Sequence, residues 1–290
     1  MCRTAVLTTN APTAPLEVSP LQGSDRDRLP AGAAVLLSAA VREAGALALK
    51  SFRNSPRQWA KGKSSVVCEA DILVDQLLRE RLAGVSPDYG WLSEESEDEP
   101  ARLDAEHVWI VDPIDGTRSY LAGNSDWVIS AALAYRGRPI AAAVFAPVTD
   151  ELFLASAGAG ATRNGLPLAV HPAPDFDAAR IAGPRRLTDW LSGIHPSVIA
   201  TPRIGSLALR LARVSQGELD VAFAGGNSHD WDLAAADLLV HEAGGAMTTL
   251  TGQLLIYNSA EPVHGALVAA GRVRHGVLIA LARERMIELG

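Results

Sequence analysis

Three apolar stretches, at residues 127–135, 140–145 and 151–155, are separated only by turn signals at Gly137 and Pro147, and they constrain the fold most. Runs of this length joined by such turns predict consecutive strands of an antiparallel meander. Residues 158–167 read as a further hairpin, and shorter strands are expected at 90–93 and 107–111. Ahead of the sheet, small and apolar residues recur at helical spacing over 31–52. They recur again over 69–83, where Ile72, Leu73, Leu77, Leu78 and Leu82 share a face. Between these helices the basic, Gly- and Ser-containing stretch 57–65 reads as a mobile loop. After the meander the pattern alternates: a strand near 198–201, a helix over 206–216, a strand over 219–224 and a helix over 231–243. Two short strands and a helix from about Val273 complete it. Helices, a long antiparallel sheet and then mixed units predict a layered α/β fold without internal repeat. Nothing resembling a linker splits it, so residues 31–290 are expected to form one domain of two packed lobes, about 31–175 and 176–290.

The chain has 290 residues, 48% of them hydrophobic, enough for a large core. Its formal net charge of -7 argues against a surface that coats a nucleic-acid polymer. A small phosphorylated substrate is compatible with that charge, because bound divalent cations reverse the sign of an acidic pocket. Cys2 and Cys68 are too few for a disulfide scaffold and predict a reduced, cytoplasmic setting. Residues 1–30 are rich in Thr, Pro, Ser and Asp and lack the apolar run of a signal peptide, so they read as a flexible extension. No apolar run approaches the roughly 18 residues that span a bilayer.

The strongest local signal is HVWIVDPIDGT, residues 107–117. An apolar strand runs into a proline-containing turn that offers Asp112 and Asp115, then Gly116 and Thr117. Fixed at a strand end, two carboxylates can aim at one point, and hard cations such as Mg²⁺ favour such oxygen ligands. Gly116 permits close backbone approach, and a helix beginning here would turn the amides of Gly116 and Thr117 toward an anion. The bland reading is a capped Asp-Pro turn. Yet five fixed letters arise by chance in such a chain only about once in ten thousand. Taken singly, Glu94 in the acidic run 94–99 is a solvated loop residue, and Asp71 and Asp232 are first-turn acids favoured by the helix dipole. Taken together, they place carboxylates at four junctions between elements, where converging ligands are expected. His229 and His241 are given no role, since a lone histidine is usually structural or solvated.

Four ordered blocks carry a resemblance: SSVVCEAD ending at Asp71, LSEES at 92–96, WIVDPIDGT at 109–117 and WDLAAADLLVHEAGG at 231–245. From about residue 33 to near the C-terminus the chain resembles the inositol monophosphatase superfamily of lithium-sensitive, Mg²⁺-dependent phosphatases. The resemblance implies a five-layer αβαβα sandwich of the inositol monophosphatase and fructose-1,6-bisphosphatase type, and a homodimer, as in many members. It implies metal binding by Glu94, Asp112, the Ile114 carbonyl, Asp115 and Asp232, and about two or three Mg²⁺ ions that activate a water and stabilise the leaving group. Asp71 and Thr117 would help activate that water, with Glu94 touching it, and the amides of Gly116 and Thr117 would hold the phosphate. A phosphate sensor without turnover would be expected to lack one of these acids, and all five are present.

Within the superfamily the blocks look most like the CysQ-type 3′(2′),5′-bisphosphate nucleotidases, which convert adenosine 3′,5′-bisphosphate to AMP. Arg118 and Arg210 stand where that branch tends to carry cations, so substrate contacts are expected from Gly116, Thr117, Arg118, Ser206 and Arg210. A solvated helix face explains Arg210 equally well. Inositol-specific members usually place a Glu seven residues before the final metal-binding Asp, where this chain has Gly225. Ser119-Tyr120 departs from the Glu-Phe frequent in the nucleotidase branch, and Cys68 replaces a common Thr. Inositol-1-phosphate or histidinol-phosphate hydrolysis is the alternative.

Overall fold

The computed structural model describes residues 29–54, 56–61, 65–85 and 87–288, so most of the expected 1–30 extension lies outside the described residues. The chain opens with helix α1 (Ala33–Ser51), strands β1 (Gln58–Lys61) and β2 (Ser65–Cys68), and helix α2 (Glu69–Leu82). Then follow β3 (Gly90–Ser93), β4 (His107–Asp115), the short helix α3 (Thr117–Leu121), β5 (Val128–Tyr135), β6 (Arg138–Ala146), β7 (Glu151–Ser156), β8 (Gly160–Arg163) and β9 (Leu166–Pro167). The second half comprises β10 (Arg180–Ala182), α4 (Arg185–Ile194), β11 (Ile199–Ala200), α5 (Leu207–Ser215), β12 (Val221–Ala224) and β13 (Ser228–His229). It ends with α6 (Asp230–Glu242), β14 (Gly245–Thr249), β15 (Val263–His264), β16 (Leu267–Gly271) and α7 (Arg272–Glu288).

Strands β3 to β9 lie in sequence order in one sheet, antiparallel except for the parallel β3–β4 pair. The second sheet has the order β11-β10-β12-β16-β14. β5 and β6 read as unbroken apolar runs, yet they keep the two-residue period of a strand. Ile129, Ala131 and Leu133 face the cluster under α1 and α2, whereas Val128, Ala132 and Ala134 face the cluster around α5 and α6. Both faces of the first sheet are therefore covered. Helix α6 also packs on β14, and α5 on β12 and β16, so the two helices form a middle layer shared by both sheets. That position explains why Leu233 to Val240 are all buried, since a helix apolar on every side must be enclosed. The outer face of the second sheet meets α4 and α7 through Phe223, Val268, Leu191 and Leu278. The layers run α1/α2, first sheet, α5/α6, second sheet, α4/α7, which is the expected five-layer αβαβα sandwich.

Several local expectations change. The supposed loop at 57–65 is largely an antiparallel pair, with Trp59 opposite Val67 and Ala60 opposite Val66. Residues 62–64, between the paired strands, lie outside the described residues. Strand β10 and helix α4 escape periodicity, because the segment is short and polar and only the Gly183-Pro184 break marks the helix start. In α2 the buried face is Ala70, Val74, Leu78 and Leu82 together with Asp71 and Asp75, and Leu73 is exposed. Two acids displace a leucine from the inside of that helix, and both are engaged there by hydrogen bonds.

Helix α1 seats closely on the first sheet because Gly45 has no side chain. A Cβ there would lie 2.6 Å from Phe145 Cε1 and 2.8 Å from Pro147 Cγ. Gly45→Val is expected to cost about 1–3 kcal/mol through overpacking, read as a lower urea midpoint with unchanged slope. A midpoint equal to that of the parent would contradict this seating.

Candidate metal centre

Side chains three residues apart on a regular strand face opposite sides of the sheet. Asp112 and Asp115 escape that rule because the β4–β5 register slips between them: Asp112 lies opposite Ser130 and Asp115 opposite Val128. The irregularity falls at Pro113-Ile114, where proline has no N–H to give to a ladder. The bulge turns both carboxylates toward one point. Gly116 then takes φ 98°, a left-handed conformation, and α3 begins at Thr117.

The third carboxylate comes from the other half of the chain. Asp232 is the third residue of α6, and its Oδ2 accepts the His229 N–H at 2.7 Å, closing a capping box. Asp71 occupies the same place in α2, its Oδ2 accepting the Cys68 N–H at 2.8 Å. The bland reading of both residues as helix-start acids is thus correct, and it accounts for one oxygen of each. Asp71 Oδ1 accepts the Thr117 hydroxyl at 3.0 Å, and the Ile114 carbonyl lies 3.1 Å from the same hydroxyl. Asp115 is anchored likewise: its Oδ2 accepts from Ser206 Oγ at 2.6 Å and from the Ala208 N–H at 2.5 Å. Glu94 follows β3, and its N–H donates to the Val111 carbonyl at 3.3 Å. Its loop is pinned by buried Asp75, which accepts Ser93 Oγ at 2.5 Å and Ser96 Oγ at 2.6 Å.

Asp112, Asp115 and Asp232 each present an oxygen such that all three lie within 4.8 Å of one another. Among the described residues, Asp112 Oδ1 is buried without a hydrogen-bond partner. Burial, followed by Glu94, Asp115, Asp232 and Asp71, holds the Asp112 carboxyl well above the usual carboxylate range. Burial also raises Asp115, against the hydrogen bonds from Ser206 and the α5 amides. Asp232 is pushed up to about 7 by burial and then by Asp115. Buried like charges with an orphaned oxygen require a compensating cation, and an all-oxygen donor set suits a hard divalent ion. The residues present therefore fit such a metal.

The cluster opens into a cleft of about 590 Å³ whose wall includes Glu94, Asp112, Ile114, Asp115, Gly116, Thr117, Arg118 and Asp232. Asp71 stands beside it through Thr117. Ser206 and Arg210 are placed differently from expectation. Ser206 is fully buried, its hydroxyl donating to Asp115 and accepting the Leu209 N–H as the α5 cap. Arg210, one turn further along α5, is drawn to Asp115 electrostatically and is absent from the residues forming the cleft wall. Both stand behind the carboxylate because the start of α5 is spent on holding it. Sequence reasoning missed Asp75, Asp126 and Arg203, and gave no role to His229, which the cleft wall includes. Asp75 had one visible signal, an acid at helical spacing from Asp71.

A carboxyl whose pKa rises on folding holds its proton more tightly folded than unfolded, so stability falls as pH climbs between the two values. For Asp232 that window runs from 3.8 to about 7. Chelator-treated protein should therefore melt lower near pH 7.5 than near pH 5.5, and Mg²⁺ should raise the melting temperature more at the higher pH. Asp112→Asn in chelator near pH 7.5 should melt about 2–4 °C above the parent. Equal Mg²⁺ increments at both pH values would contradict the buried charge cluster.

Comparison with known proteins accords with this geometry. The profile described as the inositol monophosphatase family matches residues 32–286. An inositol-1-monophosphatase of Rhizobium meliloti (strain 1021) is 38% identical over 201 residues, covering 66% of this chain and 75% of the relative. The Nus factor SuhB of Escherichia coli (strain K12) is 31% identical over 224 residues, covering 73% of this chain and 83% of the relative. The crystal structure of the extragenic suppressor protein suhB from Bartonella henselae superposes with a TM-score of 0.75 at 28% identity, covering 86% of this chain and 97% of that one. A family match across nearly the whole described chain, on a buried carboxylate cluster fit for divalent metal, leads to one conclusion: the chain belongs to the inositol monophosphatase family of metal-dependent phosphatases.

Proposed function

We propose that the chain hydrolyses phosphomonoesters with bound Mg²⁺, and that its preferred substrate is a 3′(2′),5′-bisphosphate nucleotide such as adenosine 3′,5′-bisphosphate. The convergence of Asp112, Asp115 and Asp232 within 4.8 Å carries the reading. Glu94 and the Ile114 carbonyl complete the ligand set proposed. Bound there, the metal supplies Lewis acidity toward the phosphate, the attacking water and the departing oxygen. The chain's own part is to move and place protons. With its hydrogen given to Asp71 Oδ1 and not to the Ile114 carbonyl, the Thr117 hydroxyl would keep its oxygen lone pairs for a water proton. Burial raises the Asp71 carboxyl, and a raised carboxyl is the better final acceptor. Water adds to phosphorus, the ester P–O bond breaks, and the departing alcohol oxygen takes up a proton. The amides of Gly116 and Thr117 are proposed to orient the phosphate.

Arg118 in the cleft wall supports a doubly charged substrate, as does Gly225 in place of the acceptor expected of an inositol-specific site. Inositol 1-phosphate is the second reading, favoured by the name of the Rhizobium relative. The cluster joins Asp112 and Asp115 to Asp232 from the other lobe, which supports one catalytic unit over 31–290. Among the described residues no helix is long and apolar enough to cross a membrane. Cytoplasmic location and a homodimer are carried forward as proposals.

Parallel phosphate-release assays on adenosine 3′,5′-bisphosphate, inositol 1-phosphate and histidinol phosphate test this reading. Turnover should require Mg²⁺, fall at about millimolar Li⁺ as the family resemblance implies, and be highest on the bisphosphate. Thr117→Ala should lose about a hundredfold or more in kcat with folding retained. Turnover in chelator would sink the metal mechanism, and preference for either of the other two substrates would overturn the nucleotidase assignment.

A further inference from the structure

The cationic groups of the cleft wall come from two abutting segments. Arg118 lies in the first turn of α3, and Arg203 in the 201–205 loop that leads into α5; both are exposed and both line the cleft. The loop is held in place by Asp126, whose Oδ2 accepts the Gly205 N–H at 2.5 Å and whose carbonyl accepts the Ser206 N–H at 3.1 Å. A Cβ on Gly205 would fall 1.9 Å from Ser119 Oγ, so the Arg203 loop rests directly against the residue that follows Arg118. Asp126, an acid of the same wall, thereby gives one carboxylate oxygen to a backbone amide. Among the described residues no carboxylate forms an ion pair with Arg203. After burial and the opposing pull of Asp115, the charge of Arg203 also works against that of Arg210.

A guanidinium that lines the cleft from an anchored loop, without an ion-pair partner among the described residues and beside a second cation, suits a phosphate better than a hydroxyl. The carboxylate cluster, with its metals, accounts for the phosphate being cleaved. Arg203 lines the same cleft, and a leaving alcohol held outside the carboxylate cluster would lie within its walls. We infer that Arg203 is a specificity-determining residue that binds a second phosphate carried by the leaving group, so that the site selects bisphosphorylated over monophosphorylated esters. The inference rests on the bisphosphate reading of the same site.

The test compares kcat/KM for adenosine 3′,5′-bisphosphate and adenosine 3′-monophosphate in the full chain and in Arg203→Ala and Arg203→Lys. The parent should favour the bisphosphate, and Arg203→Ala should reduce that ratio by about tenfold or more, chiefly through KM. Arg203→Lys should recover part of the ratio. Should the parent favour the bisphosphate and Arg203→Ala keep the same ratio, the role of Arg203 is overturned while the substrate reading stands. A parent without preference between the two esters overturns both.

Discussion

Mutual repulsion among buried carboxylates is the constraint on which the rest of this structure depends. Asp112, Asp115 and Asp232 cannot all be charged at close range in a protein interior unless a cation joins them. The fold meets that demand by holding each acid in a different way and from a different element. Asp115 has one oxygen fixed by Ser206 and the Ala208 amide, Asp232 one oxygen fixed by the α6 cap, and Asp112 one oxygen without a hydrogen-bond partner among the described residues. The anchors set the direction of each carboxylate, and one oxygen of each lies within 4.8 Å of the others. A site of this kind is pre-organised for a metal and costs stability without it.

The layered architecture serves the same end. Strand β4 is in the buried first sheet, so a single bulge at Pro113-Ile114 aims two side chains reproducibly. Helix α6, enclosed between the sheets, brings Asp232 to that bulge from the second half of the chain. Helix α2 supplies Asp71 to Thr117 and, one turn later, Asp75 to the serines that hold the Glu94 loop. The acid that meets Thr117 and the acid that holds the Glu94 loop thus share one helix face. That is why Leu73, apolar by pattern, ends up exposed.

Much of this was legible in the sequence where local pattern and tertiary role coincide. The meander over 127–155 reads directly because its strands are continuous and its turns carry Gly137 and Pro147. The DPIDGT run was visible because its spacing is rare, although the register slip that makes the spacing work is a property of the β4–β5 pair and not of β4 alone. Asp71 and Asp232 were ambiguous for a physical reason: the same carboxylate caps a helix with one oxygen and serves the site with the other. Ser206 and Arg210 stay ambiguous in the sequence because a serine and an arginine near an anion site look alike whether they face the ligand or stand behind a carboxylate. Arg203 and Asp126 carried no signal at all, since their roles arise from a loop folding against Ser119 across the chain.

The converging carboxylates of Asp112, Asp115 and Asp232 are fit to hold a divalent metal. Anomalous diffraction from crystals of this protein soaked in Mn²⁺ addresses it most directly, because the signal locates the ion independently of turnover. A peak bounded by Asp112, Asp115 and Asp232, with Asp112 Oδ1 among its ligands, is expected, and so is loss of that peak in Asp112→Asn crystals. Mn²⁺ bound only elsewhere on the molecule, with the three carboxylates unchanged and without a peak between them, would contradict it.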